Sequence, residues 1–275
     1  MSATTVATRT RDFDERVPFA TLRDIWAVTQ RNLIHFLRIP QLLVFSTIQP
    51  VIFVLLWRYV FGGSVVIPGP IPYVDYLMPG IFVQTVVFGA IATAIGLAAD
   101  VKGGLLERFL SLPMSRSAVL FGRTTADLVR NVFVVILMVL VGFLVGFRVH
   151  TNFFEFLAGI AIVALFGYAM SWLFAVVGLL VKDPETAQAA AFPVLAPLVF
   201  ASSAFVLVDR MAGWLQPFAR NQPVSETVSA VRYLVVGGNL PNGPTSADVF
   251  KALVWCAAIV AICAPIAVRL YRKAV

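Results

Sequence analysis

The chain has 275 residues, of which 60% are hydrophobic and 13% are charged, and its mean hydropathy is +0.89. A soluble domain of this size needs a far more charged surface, so the composition excludes soluble enzymes and soluble nucleic-acid-binding domains and predicts a membrane protein. The formal net charge of +7 does not indicate a nucleic-acid partner, because membrane proteins also collect Lys and Arg on their cytoplasmic side.

The N-terminal segment 1–17 is polar, and we expect it to be a flexible cytoplasmic tail before a single transmembrane domain over 18–275. Between Pro18 and Arg38 the apolar residues fall within one arc of a helix, and the charged residues lie on the other side. This pattern predicts an amphipathic helix along the inner membrane surface, where tryptophan rings and arginine cations favour the headgroup layer. A simple anchor for the first span explains the pattern equally well. The residues expected to mark this interfacial helix are Phe19, Leu22, Trp26, Arg31 and Phe36.

Six apolar runs are close to the ~17–25 residues that cross the ~30 Å hydrocarbon core as a helix. They lie at 42–61, 77–99, 132–147, 156–181, 189–208 and 252–270. A helix satisfies its own backbone hydrogen bonds in lipid, so we predict an all-α membrane protein with six transmembrane helices.

The distribution of basic residues predicts the orientation of these spans. Fifteen of the 21 Lys and Arg residues lie in the N-terminal segment, in the second and fourth connections or in the C-terminal tail. The positive-inside rule places these segments in the cytoplasm, which agrees with an even number of spans. We therefore expect a multi-pass protein of the plasma (inner) membrane with both termini cytoplasmic.

The longest cytoplasmic connection, 100–130, contains a short amphipathic pattern. A helix over 105–112 separates the polar Glu107 and Arg108 from a set of leucines, and Pro113 is suited to ending it. Such a coupling loop offers a docking surface for a soluble partner. A structural turn explains the periodicity equally well.

The segment 209–236, after the fifth predicted span, is too polar to cross the membrane but carries many apolar residues. We predict two short amphipathic helices broken at 221–223, with Ser225 as the N-cap of the second and Glu226 in its first turn. These helices are expected to re-enter the outer leaflet, with their broken backbone shielded by protein. An ordinary external loop is the alternative.

The predicted spans contain no ionisable residue near mid-membrane. Proton-coupled antiporters and intramembrane hydrolases need such groups at depth, so neither catalytic residues nor a metal site are expected in this chain. The energy for any transport must then come from another subunit, and an apolar, aromatic route suits a lipid or an amphipathic drug.

Two motifs carry a resemblance to a known family. The first comprises Glu107-Arg108, Leu-Pro-Met-Ser-Arg at 112–116 and Gly122-Arg123, and the second is Gln-Pro-Phe-Ala-Arg-Asn-Gln-Pro-Val-Ser at 216–225. Both resemble ABC transporter permeases of the type-2 exporter family, particularly the daunorubicin-resistance group. The six-span plan and the N-terminal amphipathic helix match as well, so the resemblance covers nearly the whole chain.

The resemblance implies a permease that works as a dimer, with a second copy or a related chain, each permease bound to a separate ATP-hydrolysing subunit. The loop after the second span would be the coupling helix that rests on that subunit. Its implied contact residues are Leu105, Glu107, Arg108, Leu112, Pro113, Ser115 and Arg116. The sequence lacks a Gly-x-x-x-x-Gly-Lys-Ser/Thr phosphate loop, so we expect no enzyme activity and no cofactor here, with ATP and Mg bound by the partner subunit.

By analogy with the family, the first, second and fifth spans are expected to line the substrate path. Prolines interrupt these three spans, and such kinks can act as hinges. The candidate path residues are Gln49, Trp57, Gln84, Phe88, Phe200, Ser202 and Ser203.

The predicted function is thus that of the permease subunit of an ATP-driven exporter for hydrophobic or amphipathic compounds, either a drug or a lipid. An exporter of a lipid-linked glycan or cell-envelope lipid is the alternative of the same class. A membrane-embedded enzyme or a channel without an ATPase is the alternative of a different class.

Overall fold

The computed structural model describes residues 18–38, 40–62, 71–104, 116–237 and 243–273, with the backbone alone at 18–22, 35–37, 40–46 and 116–117. In these ranges the regular elements are all helical. The α-helices are α1 (Pro18–Arg38), α2 (Pro40–Leu55), α3 (Tyr73–Lys102), α4 (Arg116–Val145), α5 (Phe153–Val181), α6 (Pro184–Phe200), α7 (Gln216–Asn221), α8 (Pro223–Val236) and α9 (Ser246–Lys273). A π-helical segment, Leu56–Val60, continues α2, and a 3-10 turn, Val208–Arg210, follows α6.

Four of the described helices are long and apolar enough to cross a membrane. They are Tyr73–Lys102, Ala118–Val145, Phe153–Val181 and Ser246–Lys273, and they correspond to the second, third, fourth and sixth predicted spans. The first predicted span falls on α2 and the π-helical segment, where Thr47–Val60 is a shorter apolar helix, and the fifth falls on the 17-residue α6. The described chain is therefore an all-helical, multi-pass membrane protein with at least four helices of spanning length.

Helix α4 begins at Arg116, well before the start predicted for the third span. The connection from α3 to α4 is correspondingly shorter than the predicted 100–130. Helix α4 carries Asp127 and Arg130 before the third predicted span, 132–147, which itself contains no ionisable residue. Asp127 is buried and accepts a hydrogen bond from Thr93 of α3, and Arg130 pairs with Asp127 one turn away on α4.

Helix α3 is the centre of the fold and packs against α5, α6, α4 and α8. It comes closest to α5 at Gly178, where an added Cβ would lie 2.8 Å from Ala94 Cα. It comes equally close to the chain after α6, because a Cβ on Gly80 would lie 2.9 Å from Ala204 Cα. Glycines at such crossings let helix backbones touch, and van der Waals packing of this kind drives helix association in lipid.

Helix α1 has the predicted boundaries, and it packs on α4. Val28 and Thr29 are buried against α4, and Thr29 Oγ1 donates a hydrogen bond to the carbonyl of Gly122 at 3.0 Å. Trp26 is 64% exposed, and Arg31 is also exposed. The side chains of Phe19, Leu22 and Phe36 lie outside the described residues.

Helices α7 and α8 confirm the two short helices predicted in 209–236, with the break at Gln222. Glu226 lies in the first turn of α8 as predicted, but the N-cap is Gln222 and the prediction of Ser225 is wrong. Pro223 occupies the first helical position. Proline favours this position because it has no N–H to leave unpaired, and the N-cap is therefore the residue before it, Gln222.

Candidate functional site

The predicted coupling residues Leu105, Glu107, Arg108, Leu112, Pro113 and Ser115 lie outside the described residues, and Arg116 is the first residue of α4. Just before this segment, Lys102 Nζ lies 2.6 Å from Asp183 Oδ1, at the N-cap of α6. The hydrogen bond from Lys102 and those from Thr186 hold the pKa of the Asp183 carboxyl below its ordinary range. This contact brings the second and fourth connections together at one end of the helices, as the predicted topology requires.

An aromatic cluster joins the π-helical segment, α3 and the chain after α6. Trp57 stacks on Phe205 with ring centroids 4.7 Å apart and an interplanar angle of 4°, and Phe61 lies 4.8 Å from Trp57. Phe53 connects this stack to α3, because its centroid is 6.4 Å from that of Phe205 and 6.3 Å from that of Phe88. We call these five residues the aromatic cluster.

The aromatic cluster contains two of the predicted path residues, Trp57 and Phe88. Sequence reasoning missed the other three, although Phe53, Trp57 and Phe61 recur at a spacing of four residues, which puts them on one side of a helix. Phe205 gave no such signal, because it lies beyond the end of α6. Trp57 belongs to a π-helical turn, a feature that often marks functional sites.

Two buried polar atoms of the predicted path residues have no hydrogen-bond partner among the described residues: Trp57 Nε1 and Gln84 Oε1. Gln84 lies one turn before Phe88 on α3, and its side chain is buried. Leaving a buried donor or acceptor unpaired is costly, so such groups are suited to a bound molecule.

The remaining predicted path residues have other surroundings. Gln49 and Phe200 are exposed on the surface of the single chain, and Phe200 is 51% exposed. Ser202 Oγ donates to the carbonyl of Val199 at 2.6 Å, and Ser203 Oγ donates to the carbonyl of Ser225 at 3.4 Å. The Ser202 hydroxyl therefore satisfies the backbone at the end of α6, and the Ser203 hydroxyl bonds the backbone of α8.

The carbonyls at the end of α6 are capped from α8 and the residue before it. Gln222 Nε2 donates to the carbonyls of Leu198 and Ala201 at 2.8 and 3.0 Å. Arg232 Nη2 donates to the carbonyls of Ser203 and Ala204 at 2.7 and 3.0 Å. A buried cation suits the partial negative charge at the C-terminal end of a helix. Phe205 of the aromatic cluster directly follows this capped break.

Arg232 also fixes the break to α3. It is 3% exposed, its Nε donates to the carbonyl of Tyr76 at 3.0 Å, and its guanidinium lies 3.6 Å from the centroid of the Tyr76 ring. One side chain thus holds α8, α3 and the end of α6 together.

A second polar network joins α3 and α4. Thr93 Oγ1 donates to Asp127 Oδ2 at 2.6 Å, and Arg130 Nη1 lies 3.0 Å from Asp127 Oδ1. Arg130 also donates to the carbonyl of Gly89 at 2.7 Å. Buried charges are tolerated in a membrane when they are paired in this way. The described residues contain no group of three or more His, Cys, Asp or Glu side chains that could hold a metal ion.

Residues 23–236 match the model of the ABC-2 type transporter family, so the chain belongs to this family. It is 33% identical over 256 residues to the daunorubicin resistance ABC transporter permease protein DrrB1 of Streptomyces coeruleorubidus, covering 92% of this chain and 86% of the relative. It is 28% identical over 253 residues to the probable doxorubicin resistance ABC transporter permease protein DrrC of Mycobacterium tuberculosis, covering 90% and 87% of the two chains. It is 25% identical over 222 residues to the putative transport permease ycf38 of Cyanophora paradoxa, covering 78% and 75%. The family predicted from the two sequence motifs is confirmed.

Proposed function

We propose that the chain is the transmembrane permease subunit of an ATP-driven exporter that moves hydrophobic or amphipathic compounds out of the cytoplasm or the inner leaflet. The aromatic cluster carries this proposal, because stacked rings suit a planar, largely apolar molecule. The names of two relatives support a drug of the daunorubicin or doxorubicin type. Titrating candidate substrates against the ATPase rate of the reconstituted complex separates such a drug from a lipid or a lipid-linked glycan.

In the proposed topology, six spans cross the inner membrane, and both termini are cytoplasmic. The first span is α2 with its π-helical segment, and the fifth is α6 with the chain that follows it. The contact between Lys102 and Asp183 supports this arrangement, since it brings two proposed cytoplasmic connections together. Helix α1 lies at the inner surface, and α7 and α8 re-enter from the outer side.

The proposed partners are a separate ATP-hydrolysing subunit, which binds ATP and Mg, and a second permease copy. Movement of the ATPase subunit is transmitted through the coupling loop, which lies between the ends of α3 and α4. Helix α3 is continuous from Lys102 to Phe88, a distance of about 21 Å at the rise of an α-helix. A tilt of α3 therefore moves one wall of the aromatic cluster, which links ATP hydrolysis to the substrate path.

Replacing Glu107 with lysine is expected to uncouple ATP hydrolysis from transport. A reversed charge at a proposed contact with the ATPase subunit costs up to several kcal/mol of binding, enough to reduce drug transport by about tenfold or more. The measurement is ATP-dependent drug uptake and ATPase rate, in parallel, in inverted vesicles that contain the complex. Asp209→Lys is the control, because Asp209 is exposed in the proposed external segment and should leave both rates unchanged. Normal uptake with normal drug-stimulated hydrolysis in Glu107→Lys would remove this residue from the coupling contact.

Replacing Trp57 with alanine is expected to weaken drug binding by about tenfold, because an aromatic contact is worth roughly 0.5–1.5 kcal/mol beyond the apolar area it buries. Trp57→Phe should retain most of the affinity. Binding is measured as quenching of daunorubicin fluorescence by the purified complex. The matched control is Trp214→Ala, since Trp214 is 82% exposed and lies outside the aromatic cluster. Equal losses at Trp57 and Trp214 would show that the cluster has no special part in binding.

A further inference from the structure

A cavity of about 630 Å³ lies between α1, α3 and α4, away from the aromatic cluster. Its volume is within the ~300–1,000 Å³ typical of sites for small ligands. It lies near the ends of α3 and α4 that flank the coupling loop. Its lining residues are Arg31, Asn32, Ile34, Arg38, Gly96, Ala99, Asp100 and Arg123.

The charged side chains of this cavity favour an anion. Among the described lining residues there are three arginines and one carboxylate, Asp100, which is paired with Arg123. This described part of the lining therefore carries more positive than negative charge. Arg123 Nε is buried and has no hydrogen-bond partner within the described ranges. Guanidinium groups bind phosphate oxygens through paired hydrogen bonds.

The position of Arg123 is fixed by the backbone of α3. A Cβ on Gly96 would lie 2.5 Å from Arg123 Cζ, so the glycine lets the guanidinium lie directly against the helix. Asp100 is one turn further along the same helix and holds Arg123 by an ion pair. The cation is 17% exposed and is therefore held in place at the wall of the cavity, unlike a mobile surface side chain.

The apolar part of the cavity distinguishes a lipid from a free anion. Ile34 and Ala99 line it beside the arginines, and Ile34 is 40% exposed. Trp26 lies two turns before Ile34 on α1 and is also uncovered, which is the pattern of a helix in the headgroup layer. Cations next to apolar surface at this depth match the phosphate and the upper acyl chain of a phospholipid.

We propose that this cavity binds the phosphate headgroup of an anionic phospholipid of the cytoplasmic leaflet. The assignment of the leaflet rests on the proposed orientation, but the site itself is independent of the drug and of the ATPase subunit. Bound lipid would bridge α1 to α3 and α4 beside the coupling loop. Occupancy would then favour the arrangement in which α1 is docked on α4.

The test uses the full chain, purified in a neutral detergent and depleted of lipid. Phosphatidylglycerol or phosphatidylcholine is added in mixed micelles, and bound lipid is counted by native mass spectrometry while thermal unfolding is followed in parallel. We expect phosphatidylglycerol to bind more tightly and to raise the unfolding temperature more than phosphatidylcholine. Equal binding of the two lipids would overturn the proposal.

The variant is Arg31→Gln combined with Arg38→Gln, because both side chains line the cavity and are exposed. An arginine near a membrane surface contributes about fivefold to the binding of anionic lipid, so the double variant should bind phosphatidylglycerol roughly twentyfold more weakly. Arg210→Gln, an exposed arginine on the 3-10 turn, should bind as the unchanged chain does.

Two results would contradict the lipid assignment. Unchanged phosphatidylglycerol binding in the double variant would show that these arginines do not form the site. If inorganic phosphate at millimolar concentration gave the same thermal stabilisation as phosphatidylglycerol, the cavity would be assigned to a soluble phosphate compound. Neither outcome bears on drug export, because the measurement contains no drug and no ATP.

Discussion

Replacing Arg232 with alanine is expected to lower the free energy of unfolding by about 3 kcal/mol or more, since each buried carbonyl left unpaired costs about 1–3 kcal/mol. Arg232 donates to the carbonyls of Tyr76, Ser203 and Ala204. Apart from backbone bonds within the helices, no other donor contacts these three oxygens among the described residues. The loss should appear as a lower midpoint of thermal or denaturant unfolding in detergent. Drug binding should fall with it, because Phe205 follows the break that Arg232 holds.

The matched control is Arg220→Ala on the neighbouring helix α7. Arg220 pairs with Asp209, but the two side chains are 58% and 77% exposed, and such a pair contributes about 1 kcal/mol at most. Arg232→Lys should be intermediate, because an ammonium group keeps the charge but cannot reproduce the fork that contacts all three carbonyls. If the alanine variants at 232 and 220 unfold alike, Arg232 does not hold the break after α6.

Replacing Gly178 with alanine is expected to destabilise the protein by about 1–3 kcal/mol, the usual cost of overpacking, although alanine is the better helix former. The atoms that the new Cβ would meet belong to the backbone of Ala94, so no side-chain rotation can relieve the contact and α3 must move away from α5. Because α3 connects the coupling loop to the aromatic cluster, coupling of ATP hydrolysis to transport should weaken as well.

Gly159→Ala on the same helix is the control for Gly178→Ala. The nearest atom to its added Cβ is Val235 Cγ2 at 3.5 Å, an ordinary contact, so the variant should be neutral or slightly more stable. Both variants are compared by unfolding and by ATP-dependent drug uptake. A neutral Gly178→Ala would mean that the close crossing of α3 and α5 is not needed for the fold.

The sequence was sufficient to predict the elements whose signals lie within a few neighbouring residues. The amphipathic pattern gave α1 with its boundaries, and Pro223 gave the break between α7 and α8. Hydropathy did not predict the start of α4, because Asp127 lowers the hydropathy of this segment and its hydrogen-bond partner, Thr93, lies on another helix. Pairing between distant segments is invisible to a scan of single apolar runs.

The orientation of α1 illustrates a second limit. The apolar arc that contains Trp26 predicts contact with the membrane surface, but it does not show which residues form the crossing with α4; these are Val28, Thr29 and Gly122. Small residues carry little hydropathy but permit the closest approach of two helices, so they decide the packing face.

The candidate site was predicted in part. Trp57 and Phe88 lie in the aromatic cluster, whereas Gln49 and Phe200 face outward, because an assignment to a span does not fix which way a side chain points. The coupling residues from Leu105 to Ser115 stay a prediction based on resemblance.

The central claim is that this chain moves its substrate only with energy from a separate ATPase subunit. The most direct measurement compares vesicles containing the chain alone with vesicles containing the chain and its copurified ATPase subunit, supplied with ATP, Mg and daunorubicin. We predict no ATP hydrolysis and no drug accumulation by the chain alone, and ATP-dependent accumulation with the partner present. Hydrolysis of ATP by the chain alone, or drug accumulation that it drives from a proton gradient, would contradict the account.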